Sequence, residues 1–71
     1  MQNVVLLFSS NAGTMIATKA LRDSGVAARM VPTPAGAGTA SNLSLSVDDV
    51  SEGRAIAALA EANVSVTAVW R

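Results

Sequence analysis

The sequence predicts a ferredoxin-like α+β fold, with the elements in the order βαββαβ. Two observations favour this class. Each half of the chain reads as a strand, a helix and a second strand, and the halves match at an offset of 38 residues, which places Leu7 on Leu45 and Gly25 on Asn63. A duplicated βαβ unit folds into one antiparallel sheet in the order 4-1-3-2, with both helices on one face.

In the first half, residues 3–8 form a short, continuous apolar run that predicts a buried strand. Ser9 and Ser10 then offer N-cap hydroxyls for a helix that runs to about Ser24. Gly25 is the expected left-handed stop after the last turn. The predicted apolar face of this helix consists of Ala12, Gly13, Ile16, Ala17 and Ala20.

The next strand is predicted at residues 26–31, where Pro32 and Pro34 end it. Residues 35–40 are small and include two glycines, which is typical of a loop. Beyond the loop, residues 42–47 alternate between polar and apolar side chains, as a half-buried strand does.

The second half continues with residues 46–49, Ser-Val-Asp-Asp, which match a capping box for a helix that runs to about Ala62. Asn63 takes the place of Gly25 as the helix stop, and residues 64–70 predict the fourth strand.

Composition limits the chain to a single domain, residues 1–71. With no cysteine and no histidine, disulfides, thiol chemistry and the usual zinc ligands are excluded, so association is the stabilising device left for so small a core. Five basic and five acidic residues give zero net charge, which argues against a nucleic-acid partner. The apolar runs are too short for membrane insertion, and we expect a cytoplasmic protein.

The predicted sheet has one face that the helices do not cover. With Val5, Leu7 and Leu45 assigned to the helix side, an apolar patch remains on the open face. Such a patch on a small protein predicts an interface with another copy or with a larger complex. Alternatively, Arg29 and Trp70 fold over a smaller patch. The predicted interface residues are Val4, Leu6, Phe8, Val31 and Val69.

The same topology brings the start of the first helix to the loop between the second and third strands. The unpaired N–H groups of a helix start favour an anion, and Gly36 and Gly38 allow backbone amides to turn toward one. Alternatively, the serines only cap the helix and the glycines only form a turn. No residue pattern indicates catalysis, a metal or a cofactor. The predicted ligand-binding residues are Ser9, Ser10, Asn11, Thr33, Ser41 and Asn42.

The strand ending in Phe8-Ser9-Ser10, the Gly25-Val26 pair and the stretch Val31-Pro32-Thr33-Pro34 resemble a family of small bacterial selenium/sulfur carrier-like proteins, over nearly the whole chain. The resemblance implies a Cys-Gly pair just before the third strand, at the positions of Ser41 and Asn42 here. A serine hydroxyl cannot form a persulfide or a selenosulfide.

We therefore expect a non-catalytic accessory or interaction module of this family, working as an oligomer or as a small subunit of a larger complex. One alternative is a protein that binds a small anion or metabolite at the first helix start and the glycine loop. The other is a carrier role retained without the thiol.

Overall fold

A computed structural model of the chain describes residues 3–36 and 41–70. It confirms the element order and the sheet order, which is β2-β3-β1-β4. Residues 37–40 of the predicted loop lie outside the described residues. The elements are β1 (Asn3–Leu7), α1 (Asn11–Asp23), β2 (Arg29–Pro32), β3 (Leu43–Asp48), a 3-10 turn (Asp49–Ser51), α2 (Glu52–Glu61) and β4 (Ala68–Trp70).

The centre of the sheet is the antiparallel pair of β1 and β3, in which Val4 lies opposite Val47 and Leu6 lies opposite Leu45. The edge strands attach to this pair, β4 beside β1 and β2 beside β3, both antiparallel. Pro32, the last residue of β2, lies opposite Leu43 and ends the strand as predicted.

The helices cover the face of β1 that the sequence analysis assigned to the open side, so that assignment was wrong. Val4, Leu6 and Phe8 are buried in one cluster with α1 and α2, and Val69 packs against it. Leu7 is also fully buried but lies outside that cluster. Because β1 is apolar at every position from Val4 onward, alternation could not identify its inner face, and a shift of one residue inverts the assignment. Of the predicted interface residues, only Val31 lies on the open face.

The buried stripe of α1 also differs from the prediction. Thr14, Ala17 and Leu21 are buried, at the spacing of one helix face, whereas Ile16 is 57% exposed. The helix therefore presents a larger apolar residue, Leu21, to the core and leaves Ile16 on the surface.

Both helices end in the left-handed turn that was predicted. Gly25 has φ 76° and Asn63 has φ 61°. In each half, the backbone amide of the residue after the turn donates to a carbonyl in the last turn of the helix. Val26 N donates to Leu21 O and Val64 N donates to Leu59 O, both at 2.9 Å. The repeat is thus visible in the hydrogen bonds of the helix ends as well as in the sequence.

The predicted capping box does not form. Ser46 lies inside β3, opposite both Val5 and Arg29, and the chain stays extended through Asp48. A central strand satisfies its backbone on two sides, which outweighs one side-chain cap, and α2 starts later, at Glu52.

Both outer strands are shorter than predicted, and β4 begins only at Ala68. Val64 and Val66 pack against the core as predicted, but Val69 does so too, while Thr67 and Ala68 are both exposed. The alternation therefore changes phase between Thr67 and Ala68, and regular pairing with β1 starts after this change.

Among the described residues, no helix has the length and apolar character needed to cross a membrane.

We expect the same glycine-to-alanine change to have opposite effects at two positions. Gly25→Ala should lower the free energy of unfolding by about 1–2 kcal/mol, because its φ of 76° is unfavourable for a residue with a Cβ. Gly53→Ala, inside α2, should raise it by about 0.5 kcal/mol through helix propensity. An added Cβ has open space at both positions, so urea unfolding isolates the backbone effect. Equal effects of the two changes would contradict this account.

Candidate functional site

A buried polar cluster joins the start of α1 to the residues just before β3. Its centre is Ser41, whose side chain is 2% exposed. Ser41 Oγ lies 3.0 Å from Asn11 Oδ1, 3.2 Å from Thr14 Oγ1 and 2.6 Å from the carbonyl oxygen of Leu43. We call Asn11, Thr14, Ser41 and the backbone of Asn42 and Leu43 the Ser41 cluster.

The local sequence positions the α1 side of this cluster. Ser10 has an extended backbone, with φ −153°, and its Oγ accepts the amide of Gly13 at 3.0 Å, which makes it the predicted N-cap. The helix therefore starts at Asn11. Residues three apart lie on one helix face, so Asn11 and Thr14 both reach the chain before β3.

The amide of Asn42 fixes the orientation of Asn11. Asn42 N donates to Asn11 Oδ1 at 2.9 Å, so the oxygen of the side-chain amide must face this segment. The single proton of the Ser41 hydroxyl then has two acceptors, Asn11 Oδ1 and the carbonyl of Leu43. The Leu43 amide in turn donates to Ser41 Oγ at 3.2 Å.

Thr14 holds the cluster against the helix. Its single hydroxyl proton has two carbonyl acceptors, that of Leu43 at 2.9 Å and that of Ser10 at 3.2 Å, and the residue has no exposed surface. The sequence analysis missed Thr14. The available signal was its position three residues before Ala17 and seven before Leu21, on the stripe that is buried.

Thr33 is linked to the cluster without belonging to it. Its amide donates to the carbonyl of Asn42 at 3.0 Å, which continues the β2–β3 pairing beyond the strands. Its hydroxyl lies 2.7 Å from Ser44 Oγ, and Ser44 is fully buried. The side chain of Thr33 therefore contacts the strand β3, whereas the side chain of Ser41 contacts α1.

The structure thus brings together Asn11, Ser41 and Asn42 of the six predicted ligand residues, with Thr33 next to them. Ser10 joins through its carbonyl, which accepts from Thr14 Oγ1. Ser9 lies apart, in a depression that Ile16 and Ser65 also line.

The chemistry of the Ser41 cluster is that of a structural network. Its side chains are neutral, and its two hydroxyls, the side-chain oxygen of Asn11 and the backbone amides of Asn42 and Leu43 have hydrogen-bond partners within it. The described residues hold no group of three or more His, Cys, Asp or Glu side chains that suits a metal. Lys19 pairs with Asp23 at 3.1 Å on the exposed side of α1. The anion site stays a prediction, and the carbonyl and amide oxygens gathered here do not favour it.

The fold and the cluster define a small ferredoxin-like α+β domain with a buried serine at the joint between helix and sheet. Residues 3–71 match the family model described as "Putative Se/S carrier protein-like". The chain belongs to this family, which confirms the resemblance seen in the sequence. No curated protein and no solved structure matches the chain.

If the cluster holds the helix to the sheet, removing the Thr14 hydroxyl should destabilise the fold. We expect Thr14→Val to lower the free energy of unfolding by about 1–3 kcal/mol, because the Leu43 carbonyl and Ser41 lose a buried partner. Thr18→Val is the matched control, since its hydroxyl bonds only within α1, to the Thr14 carbonyl. Its effect should stay within about 0.5 kcal/mol. A similar loss for both variants would remove the special role of Thr14.

Proposed function

We propose that this protein is a non-catalytic interaction module of the selenium/sulfur carrier-like family, working as an oligomer or as a small subunit of a larger complex. The observation that carries the proposal is the state of Ser41. Its side chain is 2% exposed and its hydroxyl is bonded within the Ser41 cluster, so it serves the packing of α1 on the sheet.

Covalent carriage of sulfur or selenium requires a thiolate, and the sequence contains no cysteine. The family resemblance implies that the reactive pair would stand at Ser41 and Asn42. Here both residues contact Asn11 instead, Ser41 through its hydroxyl and Asn42 through its amide. The position at which the resemblance implies a cysteine is, in this chain, part of the contact between α1 and the segment before β3.

The exposed apolar side chains support a role in association. Large hydrophobic residues are exposed on α1, β2, β4 and the turn before α2, and covering them with another chain would remove apolar surface from water. The core behind them is thin, because six of the eleven buried residues of the main cluster are alanine or valine, and three of these six are alanine. The exposed residues are Met15, Ile16, Met30, Val50 and Trp70.

Sedimentation velocity tests this role directly. The proposal predicts that the protein sediments as more than a monomer, either alone at micromolar concentration or in a soluble extract of its source cells, where a fluorescent label reports its size. A well-folded monomer under both conditions would contradict the proposal, because an interaction module must bind a chain under one of them.

A second experiment places a thiol at the proposed joint. In the variant Ser41→Cys we expect the pKa of the introduced thiol to lie above its ordinary value, because burial and the oxygens of Leu43 and Asn11 disfavour the thiolate. Each unit by which the pKa of the thiol rises lowers the fraction of thiolate at neutral pH about tenfold. The thiol should therefore react slowly with a disulfide reagent and with a persulfide donor.

Ser9→Cys is the control, since Ser9 is exposed and close in sequence to the same helix start. Its thiol should react at the rate of an ordinary cysteine. If the thiol at position 41 reacts faster than the one at position 9 and collects a persulfide, detected by mass spectrometry, the joint is built for carrier chemistry and the proposal is wrong. Circular dichroism verifies that both variants are folded.

A further inference from the structure

We propose that the polar depression at the point where β2 and β3 separate binds a free α-amino acid with an apolar side chain. Arg29 binds the carboxylate of this ligand and Asp48 binds its ammonium group. Such a site goes beyond the proposed function, because neither an oligomer nor a larger complex requires a small-molecule ligand.

The depression lies beside the first paired residue of β2. The pairing of β2 with β3 starts at Arg29, opposite Ser46, whereas β3 continues to Asp48 and pairs there with Asn3 of β1. Residues 27 and 28 precede β2 and have no strand assignment. They line, together with the end of β3, a depression of about 330 Å³, which is the size of a small-molecule site.

Four polar side chains of this depression share one face of the sheet. Ser46 and Asp48 are two residues apart in β3 and therefore lie on the same face, and Arg29 and Asn3 lie opposite them. Val47, which stands between Ser46 and Asp48, packs in the cluster on the helix side. The four polar side chains are therefore on the face away from the helices.

The two charges in the depression are uncompensated. Among the described residues, Arg29 and Asp48 take part in no ion pair, either with each other or with a third residue. Asp48 is the N-cap residue of the 3-10 turn, but its side chain makes no capping hydrogen bond. The register places the two residues diagonally across the strand pair, with Cα atoms about 7–8 Å apart.

A ligand that carries a charge of each sign on one carbon satisfies both groups. The guanidinium of Arg29 can donate two parallel hydrogen bonds to a carboxylate, and the carboxylate of Asp48 accepts from an ammonium group. An anion alone would lie close to Asp48, and a cation alone would lie close to Arg29, so each would meet repulsion. The zwitterion of an α-amino acid avoids both repulsions.

An apolar strip of the same face begins beside the polar groups. Val5 lies opposite Ser46, and Trp70 lies opposite Val5 on the other side of β1. Val5 is half-buried and Trp70 is 43% exposed, so both have surface that an apolar side chain can cover. A ligand held at its ammonium and carboxylate groups by Asp48 and Arg29 can place its side chain on this strip.

NMR titration of the full chain with L-leucine tests the site. We expect saturable amide shifts at Arg29, Ser46 and Asp48, with a Kd of about 0.1–1 mM. L-leucinamide lacks the carboxylate and N-acetyl-L-leucine lacks the ammonium group, so each should bind at least about tenfold more weakly. Equal binding of the three compounds, or no saturable shift up to about 10 mM L-leucine, would overturn the proposal.

Two variants remove the charges one at a time. Arg29→Gln should weaken L-leucine binding at least about tenfold and abolish the preference for L-leucine over L-leucinamide. Asp48→Asn should weaken it as much and abolish the preference over N-acetyl-L-leucine. Both residues are exposed, and circular dichroism verifies that the variants are folded.

Asp49→Asn is the matched control. Asp49 follows Asp48 directly and is also exposed, but it does not line the depression. Its variant should leave the Kd within about twofold of that of the original protein. If Asp49→Asn weakens binding as much as Asp48→Asn does, the general charge of this region attracts the ligand and the assigned site is wrong.

Sedimentation velocity and this titration give independent results. An oligomer that does not bind L-leucine overturns the amino-acid site and leaves the proposed function in place. A monomer that recruits no partner but binds L-leucine with the expected preferences contradicts the proposed function and supports the site.

Discussion

The antiparallel pair of β1 and β3 is the constraint on which the rest of the structure depends. Leu6 opposite Leu45 and Val4 opposite Val47 form the floor on which α1 and α2 pack, and each edge strand is attached to one member of the pair. Because the strands are antiparallel, the end of β1 and the start of β3 meet at one end of the sheet. The helix that follows β1 therefore starts beside the residues that precede β3, and the register of one strand pair places Asn11 against Ser41.

The parts of the fold that could be predicted are those with local causes. The left-handed turns at Gly25 and Asn63 and the N-cap at Ser10 each depend on a few adjacent residues, and all three are present. Which face of β1 packs against the helices could not be predicted, because the side chains on both faces of that strand are apolar. The repeat added to the error: an offset of 38 residues places Leu7 on Leu45, but Leu45 belongs to the cluster that packs against the helices and Leu7 lies outside it. The offset at which the helix ends match therefore does not give the correct face of β1.

The candidate site, too, could be predicted only in part. Topology alone was enough to predict that Asn11 would approach Ser41 and Asn42. Thr14 escaped notice because a threonine on an apolar helix stripe has no local signature; its partners, Ser41 and Leu43, lie 27 and 29 residues away in the chain. What distinguishes a ligand site from a structural joint here is whether the polar groups already satisfy one another. That property belongs to the assembled structure, since it depends on distances between segments that are remote in sequence.

The two halves of the repeat have diverged most clearly at the outer edges of the sheet. A repeat with identical halves presents two similar edges, and a sheet that is open on both sides can add copies without end. In this chain the first half carries Arg29, Pro32 and Pro34 at its edge, whereas the second half has no proline there and has Arg71 directly after β4 in the sequence. Prolines therefore protect the β2 edge alone, and the two halves of the repeat differ in how strongly their outer strands oppose pairing with another chain.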